Sequence, residues 1–84
     1  MNDYLMVFRS LTYAQRAGSL LSGRGFRVAV VRTPADIWKE GCGWSVRLRG
    51  ADIKAAIELL RPVNLMPKRA FRLENGEIAG EVAL

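Results

Sequence analysis

Apolar residues change their spacing repeatedly along the chain, and each change marks a predicted element. Tyr4-Leu5-Met6-Val7-Phe8 is a short continuous apolar run, the signature of a central strand buried on both faces. The spacing then becomes helical: Ala14, Ala17, Leu20 and Leu21 share a face, and Ser10 or Thr12 can cap the start. Ser22-Gly23-Arg24-Gly25 ends that helix, because glycine readily takes the left-handed conformation of a C-terminal cap. Phe26 to Arg32 is β-branched and alternating, and reads as a second strand. Trp44 to Arg49 alternates more cleanly, with Trp44, Val46 and Leu48 on one face and Ser45, Arg47 and Arg49 on the other.

The remaining segments follow the same logic. Between the second and third strands, Thr33 can cap a short helical turn that Pro34 begins, Asp36 reaches back to, and Gly41 terminates. A second helix is predicted from about Ala51 to Arg61, where Ile53, Ala56, Ile57 and Leu60 fall at i, i+3, i+4 and i+7. Lys54 and Glu58 are expected to form an outward pair on it, and Pro62 stops it. Lys68 to Leu73 reads as a fourth strand. Asn75-Gly76 is a strong two-residue hairpin signal that would return Ile78, Val82 and Leu84 toward the sheet as a ragged edge.

The order strand–helix–strand–strand–helix–strand predicts an α+β fold, a ferredoxin-like βαββαβ sandwich with a C-terminal β-hairpin extension. Both helices would cover one face of an antiparallel sheet, leaving the other open unless an oligomer covers it. The expected core sets Ala17, Leu20, Leu21, Ile53, Ile57 and Leu60 against Val28, Val30, Val46 and Leu48. With 84 residues, the chain reads as a single domain (1–84), near the lower size at which a core holds without staples.

Composition narrows the chemistry. Half of the residues are apolar and a quarter charged, as in an ordinary soluble domain. No apolar run approaches the roughly 18 residues of a membrane helix, so no membrane association is expected. Met1-Asn2-Asp3 lacks the basic opening of a secretory signal, and a lone cysteine suits a reducing compartment; both point to the cytoplasm. The net charge is +5, but residues 1–73 alone carry 13 basic and 5 acidic groups, a net +8. Such a balance is compatible with an anionic partner and is also common without one.

Cys42 is the only cysteine, set between Gly41 and Gly43, and the chain has no histidine. It has no second cysteine for an internal disulfide, no imidazole base, and no second soft ligand for a metal, so neither metal nor cofactor is expected. Two readings stay open. The thiol packs as a small apolar group, or it acts alone as a carrier or nucleophile. The flanking glycines, which permit positive φ and leave the sulfur unshielded, favour the second. Thr33, Pro34, Gly41 and Gly43 would shape its loop. Arg32, Lys39, Arg47 and Arg49 are candidate anion contacts. Arg32 and Lys39, nearest in sequence, would favour the thiolate, whereas Glu40 would oppose it.

The run "VRTPADIWKEGCGWSVRL" from Val31 to Leu48 resembles a family of small bacterial selenium/sulfur carrier-like proteins. Their pattern pairs an opening strand and helix with a Thr-Pro turn, a Cys-Gly step into an alternating strand, and a final helix. "YLMVFRSLTYAQRAGSLL" is similar to the family's opening and "RGADIKAAIELL" to its last helix. Members tend to carry small hydroxyl residues just before the cysteine, where this chain has Trp38-Lys39-Glu40-Gly41. The resemblance implies a ferredoxin-like, non-catalytic carrier. Cys42 would hold a persulfide or selenosulfide, and the partners would be sulfur or selenium donor and acceptor proteins.

Two rivals belong to other classes. An open basic sheet face is also how RNA-recognition domains bind, and Gly41-Cys42-Gly43-Trp44 weakly echoes their Gly-aromatic-Gly-aromatic core. Here Cys42 and Arg47 stand where stacking rings belong. Arg27, Arg47 and Arg49 could still grip phosphates, so only weak, salt-sensitive binding is expected and nucleic acid is not the expected partner. The other rival is a regulatory or interaction module that forms a homodimer through the open sheet face.

Overall fold

The elements follow from local signals that the backbone satisfies. The computed structural model describes residues 3–34, 43–50 and 52–84. In order along the chain they form β1 (Asp3–Phe8), α1 (Leu11–Gly23), β2 (Arg27–Arg32), β3 (Trp44–Arg49), α2 (Ile53–Leu60), β4 (Arg69–Glu74) and β5 (Glu77–Val82). Ser10 caps α1, its Oγ accepting from the Tyr13 N–H at 3.3 Å. At the far end Gly25 sits at φ +90°, and the Phe26 N–H returns to the Leu21 carbonyl at 3.0 Å. Asp52 caps α2, accepting from the Lys54 N–H at 2.9 Å. Pro62 lies in a 3₁₀ turn, Arg61–Val63, that directly follows α2. Asn64 closes that turn in the left-handed conformation that asparagine tolerates better than most residues.

The fold is α+β, with two helices and a five-stranded sheet in the order β2-β3-β1-β4-β5 among the described residues. Every neighbouring pair is antiparallel. β1, the continuous apolar run, sits between β3 and β4, with Leu5 to Phe8 buried. Met6 pairs with Val46 and Ala70, which sets these three on one face. There they share one core with Phe8, Leu48, Ala14, Ala17 and Leu21 of α1, and all four periodic residues of α2. The turn at Asn75 (φ 52°) and Gly76 (φ 81°) joins β4 to β5. Among the described residues no helix is long and apolar enough to cross a membrane.

Several expected core positions differ. Val30 is 37% exposed and Val28 only half-buried, because β2 is an edge strand that α1 covers along one side. Leu20 is also half-buried. On β5, Val82 packs against the core, whereas Ile78 and, just beyond the strand, Leu84 are exposed. Glu58 pairs not with Lys54, as expected, but with Arg61 one turn further on, at 3.8 Å.

The face away from the helices is less open than expected. Leu5, Val7, Phe71 and Leu73 lie there and are each no more than 7% exposed. Arginine side chains contribute to this cover: Arg69 lies over the Phe71 ring at 5.0 Å and pairs with Glu81, while Arg47 stands directly opposite Leu5. Long arginine stems shield apolar surface while their charged heads stay wet. A trough of about 580 Å³ crosses this face, lined among others by Leu5, Val31, Pro34, Arg47, Leu73 and Ile78.

Candidate functional site

β2 and β3 pair from Arg27 opposite Arg49 to Arg32 opposite Trp44. One further bond extends the ladder: the Thr33 N–H donates to the Gly43 carbonyl at 3.0 Å. The connection from β2 to β3 therefore leaves and re-enters the sheet at one hydrogen-bonded pair. Thr33 and Gly43 are both buried, and Pro34, the next residue, is exposed.

A second tie reinforces the first. The Thr33 hydroxyl is hydrogen-bonded to the Ser45 hydroxyl, and Ser45 is fully buried. Two buried hydroxyls that satisfy each other avoid the cost of an orphaned polar group. The alternating pattern had set Ser45 beside Arg47 and Arg49 on the polar side of β3. The only sequence signal for its role was size, since it is the one small uncharged residue on that side.

The candidate residues divide accordingly. Lys39, Gly41 and Cys42 lie outside the described residues, as does the expected helical turn after Pro34. Arg32 stands at the anchor, its guanidinium 5.6 Å from the centre of the Trp44 ring. Arg47 and Arg49 do not join it. Arg47 is ion-paired with Asp3 at 3.2 Å on the face away from the helices. Arg49 is at the opposite end of β3, about 16 Å from Trp44 at the usual strand rise.

Asp3 was not singled out from sequence, yet it organises that far end. Its carboxylate accepts from the Gly50 N–H at 3.1 Å and from Arg47. The Gly50 amide first, and the Arg47 guanidinium next, hold its pKa below the ordinary carboxylate value against an opposing desolvation. The Arg47 Nε is buried without a hydrogen-bond partner. Among the described residues no group of three or more cysteine, aspartate and glutamate side chains is placed to hold a metal.

The end of the sheet that carries the Thr33–Gly43 anchor is cationic. Arg32 ends β2, Arg9 follows β1, Lys68 precedes β4, and Arg69, paired with Glu81, begins it. Such a field favours anions.

Neither the curated proteins nor the solved structures include a match to the chain. A family model does match, over residues 3–72, and its description is "Putative Se/S carrier protein-like". The matched span runs from the first residue of β1 into β4, includes Cys42 and the anchor residues, and excludes β5. The chain belongs to this Se/S carrier-like family.

Proposed function

We propose that this protein is a non-catalytic carrier that holds a zero-valent sulfur or selenium atom on Cys42. The observation that carries the reading is the family match across a segment containing the chain's only cysteine. Loading is an exchange without net oxidation. The Cys42 thiolate attacks the outer sulfur of a donor persulfide, a new S–S bond forms, the donor's S–S bond breaks, and the donor leaves as a thiolate. Unloading is the same step with an acceptor nucleophile, and Cys42 departs as thiolate. A selenium cargo would give a selenosulfide by the equivalent exchange. Donor and acceptor proteins are the implied partners, and a reducing cytoplasm the implied setting.

The fold supports this reading. The order β2-β3-β1-β4, with α1 and α2 in one shared core, is the order a ferredoxin-like sandwich requires, and β5 then reads as a C-terminal addition. Gly43, next in sequence to Cys42, is held by Thr33, and cationic Arg32 precedes Thr33. A cation close to the sulfur would raise the thiolate fraction on which exchange depends, and Arg32 is the candidate we propose for that role.

The test is intact-mass spectrometry of folded protein treated with a small-molecule persulfide donor. We expect the mass of one sulfur to be added in wild type and none in Cys42→Ser, with both proteins equally folded by circular dichroism. A native thiol that resists both the donor and alkylation until the domain unfolds would end the carrier reading.

A further inference from the structure

A separate cleft of about 140 Å³ opens beside the end of β1. Phe8 and Met66 supply apolar wall, while Arg9, Lys68 and Asn64 bring polar groups to it. We infer that this cleft binds a phosphate group, held by Arg9 and Lys68 with Asn64 as an additional donor.

Charge carries the argument. No carboxylate lies within salt-bridge distance of Arg9 or Lys68 among the described residues. Four of the six described acids are paired elsewhere, Asp3 with Arg47, Glu58 with Arg61, Glu74 with Arg72 and Glu81 with Arg69, while Asp52 caps α2 and Glu77 begins β5. Two cations thus line a small concavity with no carboxylate paired to either among the described residues.

Geometry adds selectivity for a compact oxyanion. The Arg9 guanidinium sits over the Tyr13 ring, 5.3 Å from its centre. A guanidinium held over a ring is restrained in position, and its fork of N–H donors suits the oxygens of a phosphate. Lys68 is held by its own backbone, whose N–H donates to the Val7 carbonyl at 2.8 Å. Asn64 is fixed by its left-handed turn, and its N–H donates to the Arg61 carbonyl at 3.2 Å. The first turn of α1, immediately after Arg9, contains no acidic residue. A cavity of similar volume holds a molecule the size of benzene, so the cleft has room for a phosphate.

The proposal is independent of sulfur carriage, and its test does not touch Cys42. Full-length protein labelled with ¹⁵N is titrated with inorganic phosphate, against sodium chloride at matched ionic strength, while backbone amide shifts are followed. We expect saturable shifts confined to residues 8–13 and 64–68, unchanged in Cys42→Ser. Arg9→Gln and Lys68→Gln should each raise the half-saturating concentration roughly tenfold, the usual worth of a charge-assisted contact. Both side chains are exposed, so the melting temperature should hold. Glycerol phosphate distinguishes the source: tighter binding than inorganic phosphate assigns the cleft to phosphate-bearing metabolites, and weaker binding to the free ion. Shifts that do not saturate, that extend equally to Arg27 and Arg49, or that survive both substitutions would overturn the site. So would saturable binding of a single-stranded RNA with no response to inorganic phosphate.

Discussion

The hydroxyls of Thr33 and Ser45, twelve residues apart in sequence, meet in a buried hydrogen bond where the β2–β3 connection joins the sheet. Each is the partner that lets the other be buried. Ser45→Ala should therefore cost about 1–3 kcal/mol, because it leaves the Thr33 hydroxyl unsatisfied. Adding Thr33→Val removes the orphan, so the double variant should be closer to wild type than the sum of the single variants. Urea denaturation of the three proteins measures this, and additive losses would show that the bond does not couple the two sites.

Asp3 makes acid stability informative. Its folded pKa is depressed by the Gly50 amide and Arg47, so its contribution is full above the unfolded value of about 3.9. It is lost as pH falls through the lower folded value. Asp3→Asn should then flatten the fall in stability below about pH 4. Denaturant midpoints across an acid series give the comparison; parallel curves would exclude a role for the pair.

Gly18 lies in α1 where the helix approaches the edge strand. A Cβ there would stand 3.2 Å from a methyl of Val30 and 4.0 Å from one of Val46. Val30 is part-exposed and free to give by a few tenths of an ångström, whereas alanine gains up to about 1 kcal/mol of helix propensity over glycine. Gly18→Ala should accordingly raise the melting temperature slightly, and Gly18→Leu should lower it sharply by overpacking. A destabilised alanine variant would mean that the edge strand cannot yield.

Core position and edge position should separate in energy. Ile57, on the buried face of α2, should lose about 2–5 kcal/mol on replacement by alanine. Val30→Ala should cost clearly less, since the side chain is already partly in water. Equal costs in equilibrium unfolding would place β2 deeper in the core than its exposure indicates.

Features that depend on neighbours in sequence were legible without a structure. Ile53, Ala56, Ile57 and Leu60 form one face because a helix turns every 3.6 residues, and all four are buried. Ser10 as cap, Gly25 as helix exit, and the facing of Trp44, Val46 and Leu48 follow from equally local rules. The Cys42 motif, with its two glycines and the absence of histidine, likewise needs only the sequence, and the family match spans it.

What tertiary structure decided was partnership and position across the sheet. Alternation identifies a strand but not its neighbours, so it could not place β2 at an edge or expose Val30 there. It set Ser45 and Arg47 on one polar side. The register then buried Ser45 against Thr33 and gave Arg47 to Asp3, 44 residues away. The gathering of Arg9, Asn64 and Lys68 around one cleft arises only where β1, β4 and the turn after α2 converge. Local spacing constrains which way a side chain faces. The energies of burial, pairing and charge depend on what the rest of the chain brings to that face, and in a sheet those groups come from distant positions.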